Sequence, residues 1–233
     1  MEQSEDRAAV FSPSESDKRW RKFAWFLYPF MKISFIPFGG DGNFRKKTVA
    51  FANPRQGESV LDACCGTGAL TNMIAEKVGN TGRVNGIDIS EKAIRKASDK
   101  IKDGLPLTFR QASCAAIPFP DKSFDKVFIS FGLHEMGETD RLRSLNEVKR
   151  VLKDGGSFFV LEYNLPRFWL KRFAVRAFNW LFESKSAYRM LIDNALPGYL
   201  EQAGFSIRQR QTLGAEIFQI LHTARASAEK NDA

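Results

Sequence analysis

The stretch Ser59-Val60-Leu61-Asp62-Ala63-Cys64-Cys65-Gly66-Thr67-Gly68-Ala69-Leu70-Thr71 limits what this chain can fold into more than any other. Val60-Leu61 reads as a short buried strand that ends on an acid, Asp62. A tight loop with two glycines follows, and apolar residues then recur at helical spacing at Leu70, Ile74 and Val78. Strand, small-residue loop and helix form the opening unit of a doubly wound α/β domain, in which a nucleotide-like ligand sits over the loop.

The rest of the chain repeats that unit. Val84 to Ile89 reads as a second strand, with Ser90 capping a helix from Glu91 to about Lys102 whose Ala93, Ile94, Ala97 and Ile101 share a face. Leu105 to Arg110 is a third strand and Phe124 to Phe131 a fourth. A helix from about Asp140 to Leu152 stops at Asp154-Gly155-Gly156, and Ser157 to Tyr163 is the fifth strand. Leu196 to Ala203 is helical up to Gly204; Phe205 to Thr212 and Glu216 to Thr223 close the chain as a hairpin. The alternation predicts a Rossmann-like, mostly parallel seven-stranded sheet with an antiparallel C-terminal strand and helices on both faces.

Two segments stand outside this pattern. Residues 1–18 are polar and read as a mobile tail, as do 226–233. Residues 19–43 read as an aromatic N-terminal cap or lid, with Phe23, Trp25, Phe26, Tyr28, Phe30, Phe35 and Phe38, then a loop over Gly39 to Asn43 and a helix from Phe44 to Phe51. The cap is shorter than the roughly 20 apolar residues of a spanning helix, so it packs over the core or touches a membrane interface without crossing it. The second segment, about residues 166–195, reads as a helical insertion over the substrate. Its first half, Pro166 to Phe182, sets four basic residues and no acid among bulky aromatics at helical spacing. Such a helix either buries one face against the core or lies on an anionic lipid surface.

Composition narrows the partners. A formal net charge of +8 favours anionic ones, and no tract with nucleic-acid-reading spacing is present, so a peripheral membrane contact is expected and nucleic acid is not. The start, Met1 to Asp6, is acidic where a signal peptide would be basic. Three cysteines and two histidines make neither a disulfide framework nor a zinc site, which points to a reducing, cytoplasmic compartment and no metal. A homo-oligomer is compatible with all of this.

The ligand follows from two acids. Asp62, at the strand end before the loop, would repel a pyrophosphate and welcome a cation. Asp88 ends the second strand 22 residues beyond Gly66, where a carboxylate accepts hydrogen bonds from ribose hydroxyls. The position of a third fingerprint glycine holds Thr71. A cationic, phosphate-free nucleoside fits both acids, and S-adenosylmethionine is one; an NAD(P) oxidoreductase is the rival that Asp62 argues against.

At this point the sequence resembles a known family. Val60 to Gly68 looks like motif I of class I S-adenosylmethionine-dependent methyltransferases, and Gly86-Ile87-Asp88-Ile89-Ser90 like the acidic end of their second strand. Ala112 to Phe119 with Phe124-Asp125 resembles the segment around their adenine site. Ser130-Phe131-Gly132-Leu133 and Arg150 to Gly156 with Leu161-Glu162-Tyr163 are most similar to the ubiquinone/menaquinone C-methyltransferases. The likeness runs from about Phe44 to Arg225. Here Ser113 replaces the usual aspartate, and His134-Glu135 stands where the family has Arg-Asn.

The resemblance implies a methyltransferase acting on a lipophilic acceptor, a quinone precursor first and a phospholipid or other small molecule second; a non-catalytic binding protein is the remaining reading. It implies cofactor contacts at Asp62, Cys64, Gly66, Thr67, Gly68, Asp88 and Ile89, with Ser113 and Cys114 beside adenine. Ser130 would offer its carbonyl to the methionine ammonium, and Arg45 would pair with the carboxylate. Carbon methylation of a quinol ring needs a neighbouring hydroxyl deprotonated. His134, just past the fourth strand, is the first candidate base; Tyr188 and Arg189 come second, in a segment similar to the family's substrate region.

Overall fold

The computed structural model describes residues 40–102, 104–182 and 185–226. The 1–18 tail, the aromatic part of the cap through residue 39 and the tail from 227 lie outside them. The described chain opens with helix α1 (Gly40–Ala52), which begins at Gly40, where a loop to Asn43 is expected from the glycines. Phe44, Thr48, Val49 and Ala52 form its buried face, and the Phe44 ring meets Phe218 edge-on at 4.8 Å. That tertiary contact outweighs the weak helix propensity of the first turn.

Then follow β1 (Ser59–Ala63), α2 (Ala69–Val78), β2 (Arg83–Asp88), α3 (Glu91–Ser98), β3 (Leu107–Gln111), β4 (Phe124–Ser130), α4 (Glu138–Val151) and β5 (Leu152–Tyr163). The chain ends with α5 (Trp169–Phe182), α6 (Lys185–Ile192), α7 (Leu196–Gln202), β6 (Phe205–Leu213) and β7 (Phe218–Arg225). Several boundaries differ from expectation. Helix α3 stops at Ser98 because the amides of Lys100 and Ile101 bond three residues back, the tighter closure that ends helices, and Ile101 is left exposed. Strand β3 starts two residues later than its apolar run. Strand β5 begins at Leu152, directly after α4: Leu152 pairs with Phe124, the register then shifts, and Gly155 with φ 74° carries the bend within the strand.

The seven strands form one sheet in the order β3-β2-β1-β4-β5-β7-β6, in which only β7 runs antiparallel to its neighbours. Val60, Leu61, Val84, Val127, Ile129, Phe158 and Val160 are fully buried, as expected of strands covered on both faces. One core joins the sheet to α1 and α2 through Val49, Leu70, Ile74 and Val78; another joins it to α4 and α7 through Leu145, Val148 and Leu200. Asp125 ties three strands together. Its Oδ2 accepts from the Ser59 amide at 2.8 Å and from Lys153 Nζ at 2.8 Å, and these partners hold its carboxyl below the usual range despite partial burial.

The strand order reverses between β1 and β4. In an open α/β sheet a ligand binds outside the carboxyl ends of the strands at that point. Motif I leaves β1 there, Asp88 ends β2 beside it, and His134 follows β4.

No helix among the described residues is long and apolar enough to cross a membrane.

Candidate functional site

The motif I loop is built by backbone geometry that few residues allow. Cys64, Gly66 and Gly68 have φ of 64°, 54° and 73°, and Gly68 forms the N-terminal boundary of α2. A Cβ at Gly68 would lie 2.5 Å from the Phe109 ring and 3.0 Å from Ala97 Cβ, so the loop can sit on β3 and α3 only with glycine there. A Cβ at Gly66 would meet nothing within 4 Å: this glycine faces the open side of the loop, where a ligand can approach the backbone. Gly68→Ala is therefore expected to cost roughly 2–4 kcal/mol in urea unfolding through strain and overpacking. A variant within 0.5 kcal/mol (about the usual surface effect) would show that the loop has room to shift.

Asp88 locks the loop to the next crossover. Its Oδ2 accepts from the Gly66 amide at 2.9 Å and its Oδ1 from the Ser90 amide at 2.8 Å. A carboxylate has about four acceptor sites, so both oxygens keep capacity for ligand hydroxyls. Ile89 beside it is exposed, and its carbonyl accepts from Gln111 Nε2.

Asp62 is fully buried at the end of β1. Thr71 Oγ1 donates to its Oδ2 at 2.6 Å, while its Oδ1 is buried with no hydrogen-bond partner among the described residues. Burial raises the Asp62 pKa to about 7, against the lowering effects of the Thr71 hydrogen bond and of the Arg45 charge from α1. An orphaned acceptor on a carboxyl poised near neutrality is a place for a donor or a cation to complete.

The far wall is the segment after β3. Cys64 Sγ and Cys114 Sγ lie 2.9 Å apart, and a Cβ on Gly132 would press within 2.8 Å of Cys64 Sγ. The Cys64 thiol is pushed well up by this hydrogen bond and by burial, so its sulfur packs as a compact neutral group against Cys114. Ser113 Oγ accepts from the Ala115 amide at 3.2 Å, which commits it to a local turn. Thr67 and Ser130 are half-buried at the loop tip and at the end of β4.

His134 is buried at the edge of a narrow cleft with Tyr163, Asn164, Met190, Leu191 and Gln219. Its Nδ1 lies 2.7 Å from Oε2 of Glu162, which is itself fully buried; Glu162 Oε1 accepts from the amides of Leu133 and His134 at 3.0 and 3.4 Å. With Nδ1–H donating to the carboxylate, the lone pair belongs to Nε2. Arg141, also buried, fixes the same loop from α4. Its Nε donates to the Leu133 carbonyl at 2.9 Å and its Nη2 to Met136 at 2.8 Å, with the guanidinium 4.6 Å from the Tyr199 ring.

Sequence reasoning assigned Glu162 no catalytic part and passed over Arg141 and Thr71 as site residues. A charged residue in a polar helix such as α4 reads as solvent-facing; tertiary partners, the loop carbonyls with Ser186 Oγ and the Tyr199 ring, draw Arg141 inward. Tyr188 and Arg189 are not brought to His134. It is Ala187, Met190 and Leu191 of the same helix that line its cleft, while Tyr188 turns toward α5 and Arg189 is exposed, because α6 is one amphipathic helix and the two faces go to different neighbours. No group of three or more potential metal ligands occurs among the described residues.

A doubly wound sheet with a glycine loop, an acid at the end of β1 and another at the end of β2 defines an S-adenosylmethionine-dependent methyltransferase, and solved structures agree on the fold. A methyltransferase from Aquifex aeolicus superposes with a TM-score of 0.62 at 23% identity, over 77% of this chain and 88% of that one. The profile of the ubiE/COQ5 methyltransferase family matches residues 28–224, and the chain belongs to that family. It is 33% identical to the demethylmenaquinone methyltransferase of Bacillus subtilis over 73% of this chain and 78% of that one. It is 34% identical to the ubiquinone/menaquinone biosynthesis C-methyltransferase of Geobacter sulfurreducens, over 69% and 66%. An uncharacterized methyltransferase of Synechocystis matches at 30% over 90% of this chain and 95% of its own. The cofactor is S-adenosylmethionine, and the open Gly66 cradle and the orphaned Asp62 oxygen suit it.

Proposed function

We propose that the enzyme methylates a ring carbon of a quinol-type precursor with an apolar tail. The observation that carries this reading is the buried His134–Glu162 pair, set at the carboxyl edge of the sheet beside a cleft of mixed polar and apolar walls. Bound S-adenosylmethionine supplies an electrophilic methyl group on a sulfonium. The chain's task is then alignment, exclusion of water and removal of one proton. His134 Nε2 takes the proton of a ring hydroxyl, which raises electron density at the neighbouring carbon. After that carbon accepts the methyl group its C–H bond breaks, the hydrogen leaving as a proton, and the oxygen is reprotonated, so one proton is released per turnover. Glu162 holds the imidazole in the required tautomer and offsets the charge it gains. The demethylmenaquinone and quinone enzymes among its relatives support the acceptor class.

On this reading Asp62 faces the cationic end of the cofactor, and Gly66, Thr67 and Gly68 let the backbone approach. Asp88 and Ile89 hold the ribose, and Ser113 and Cys114 border the adenine. The Ser130 carbonyl receives the ammonium, and Arg45 pairs with the carboxylate. Three thiols near the cofactor suit a reducing, cytoplasmic setting. Asp88→Asn keeps one acceptor but removes the charge, and is expected to weaken cofactor binding about 10- to 30-fold by calorimetry; unchanged affinity would overturn the ribose assignment. The acceptor itself is identified by mass spectrometry of products formed with methyl-labelled S-adenosylmethionine from demethylmenaquinol and from phosphatidylethanolamine. Label on the phospholipid alone would replace the quinol reading.

A further inference from the structure

Of the eight large apolar side chains exposed among the described residues, five fall between residues 168 and 180: Phe168 at 53%, Trp169 at 70%, Leu170 at 52%, Phe173 at 67% and Trp180 at 71%. They do not scatter. Trp169, Phe173, Ala177 and Trp180 run along one side of α5 at helical spacing, with Arg172 and Arg176 between them, and together with Tyr188 of α6 they line a trough of about 440 Å³. The helix packs on α6, and its opposite side is narrow, with Val175 and Asn179 buried. A patch this apolar on a soluble fold marks a surface that meets something else.

Charge selects the partner. Arg167, Lys171, Arg172 and Arg176 are exposed, and no acid occurs from 164 to 182. A second copy related by a two-fold axis would bring like charges together. The chain's own aromatic stretch from Phe23 to Phe38 carries Lys32 and no acid, so it offers no counter-charge either. Anionic lipid headgroups do, and tryptophan rings settle at the level of those headgroups.

We infer that α5 docks the enzyme on an anionic bilayer, its Trp169–Phe173–Trp180 side entering the headgroup layer and its arginines meeting lipid phosphates. The placement has a consequence for the site. Helix α6 stands between this surface and the His134 cleft, with Tyr188 on the lipid side and Ala187, Met190 and Leu191 on the other. A lipophilic acceptor leaving the bilayer would pass only that one helix. The docking does not depend on which acceptor is methylated.

The test is co-sedimentation of the full chain with vesicles of phosphatidylcholine alone or with phosphatidylglycerol at about 30%, a composition chosen to exceed the roughly −30 mV surface of a cytoplasmic leaflet. Binding is expected to the anionic vesicles, to weaken with salt, and to fall about fivefold or more for each charge in Arg172→Glu/Arg176→Glu. Trp169→Ala/Phe173→Ala/Trp180→Ala is expected to lose binding with S-adenosylmethionine affinity retained. Equal partition to both vesicle types, or no partition of the full chain, overturns the inference. So does anionic binding that survives both sets of substitutions. Loss of self-association in the variants with vesicle binding unchanged would assign the face to a second copy instead.

Discussion

His134→Gln is expected to lower kcat on a quinol-type acceptor by about 10²- to 10⁴-fold, the range of a single general base, while cofactor affinity stays within a few-fold. The imidazole is buried, so a fall in activity through unfolding must be separated from a fall through lost chemistry; binding of S-adenosylmethionine by the variant makes that separation, since the His134 cleft and the glycine loop are distinct. Glu162→Gln keeps an acceptor for Nδ1–H and removes the carboxylate charge. It should therefore fall between the wild type and His134→Gln, with the acid limb of its kcat–pH profile displaced to lower pH as the imidazolium loses its counter-charge. Full turnover by His134→Gln at saturating acceptor from pH 6 to 9 (roughly the span a histidine base governs) would exclude the assignment.

Asp62→Asn is expected to stabilise the cofactor-free protein at pH 8 and to weaken cofactor binding. Burial raises the folded-state pKa of Asp62 from 3.8 to about 7. The native state therefore keeps a proton that the unfolded state releases, and stability falls as pH rises from about 4 to about 7, then levels off. At 1.36 kcal/mol per pH unit, the rise corresponds to about 4 kcal/mol above pH 7. Asparagine removes that penalty and still accepts from Thr71. A sulfonium or ammonium near the orphaned Oδ1 would favour the ionised form, so binding should release a proton near neutrality and tighten between pH 6 and 8. Calorimetry in two buffers of different ionisation enthalpy reads the proton directly. An equal pH slope in wild type and Asp62→Asn would show that Asp62 does not face the cationic end.

These two predictions differ in how visible their residues are in the sequence. Asp62, Gly66 and Gly68 belong to one strand–loop–helix unit, whose geometry is set within a dozen residues, and the acid's placement at a strand end is legible from its neighbours. Asp88 is nearly as local, because the β-α-β unit fixes where the second strand must end. The start of β5 departs from expectation for the opposite reason: the preceding helix ends at Val151, close to where its pattern stops, but pairing of Leu152 with Phe124 on a distant strand extends β5 back over Asp154-Gly155-Gly156.

The alternating architecture, the loop and the charge of its ligand are written in the local sequence, since periodicity and turn chemistry act over a few residues. The rest comes from packing between distant elements. Pairing of β4 with β5 brings Glu162 to His134 across 28 residues, the groove beside the loop closes Cys64 on Cys114 across 50, and the divided faces of α6 send Tyr188 to α5 instead of to the histidine. Each of these is a contact between elements whose own patterns are satisfied without it, so no local propensity records it.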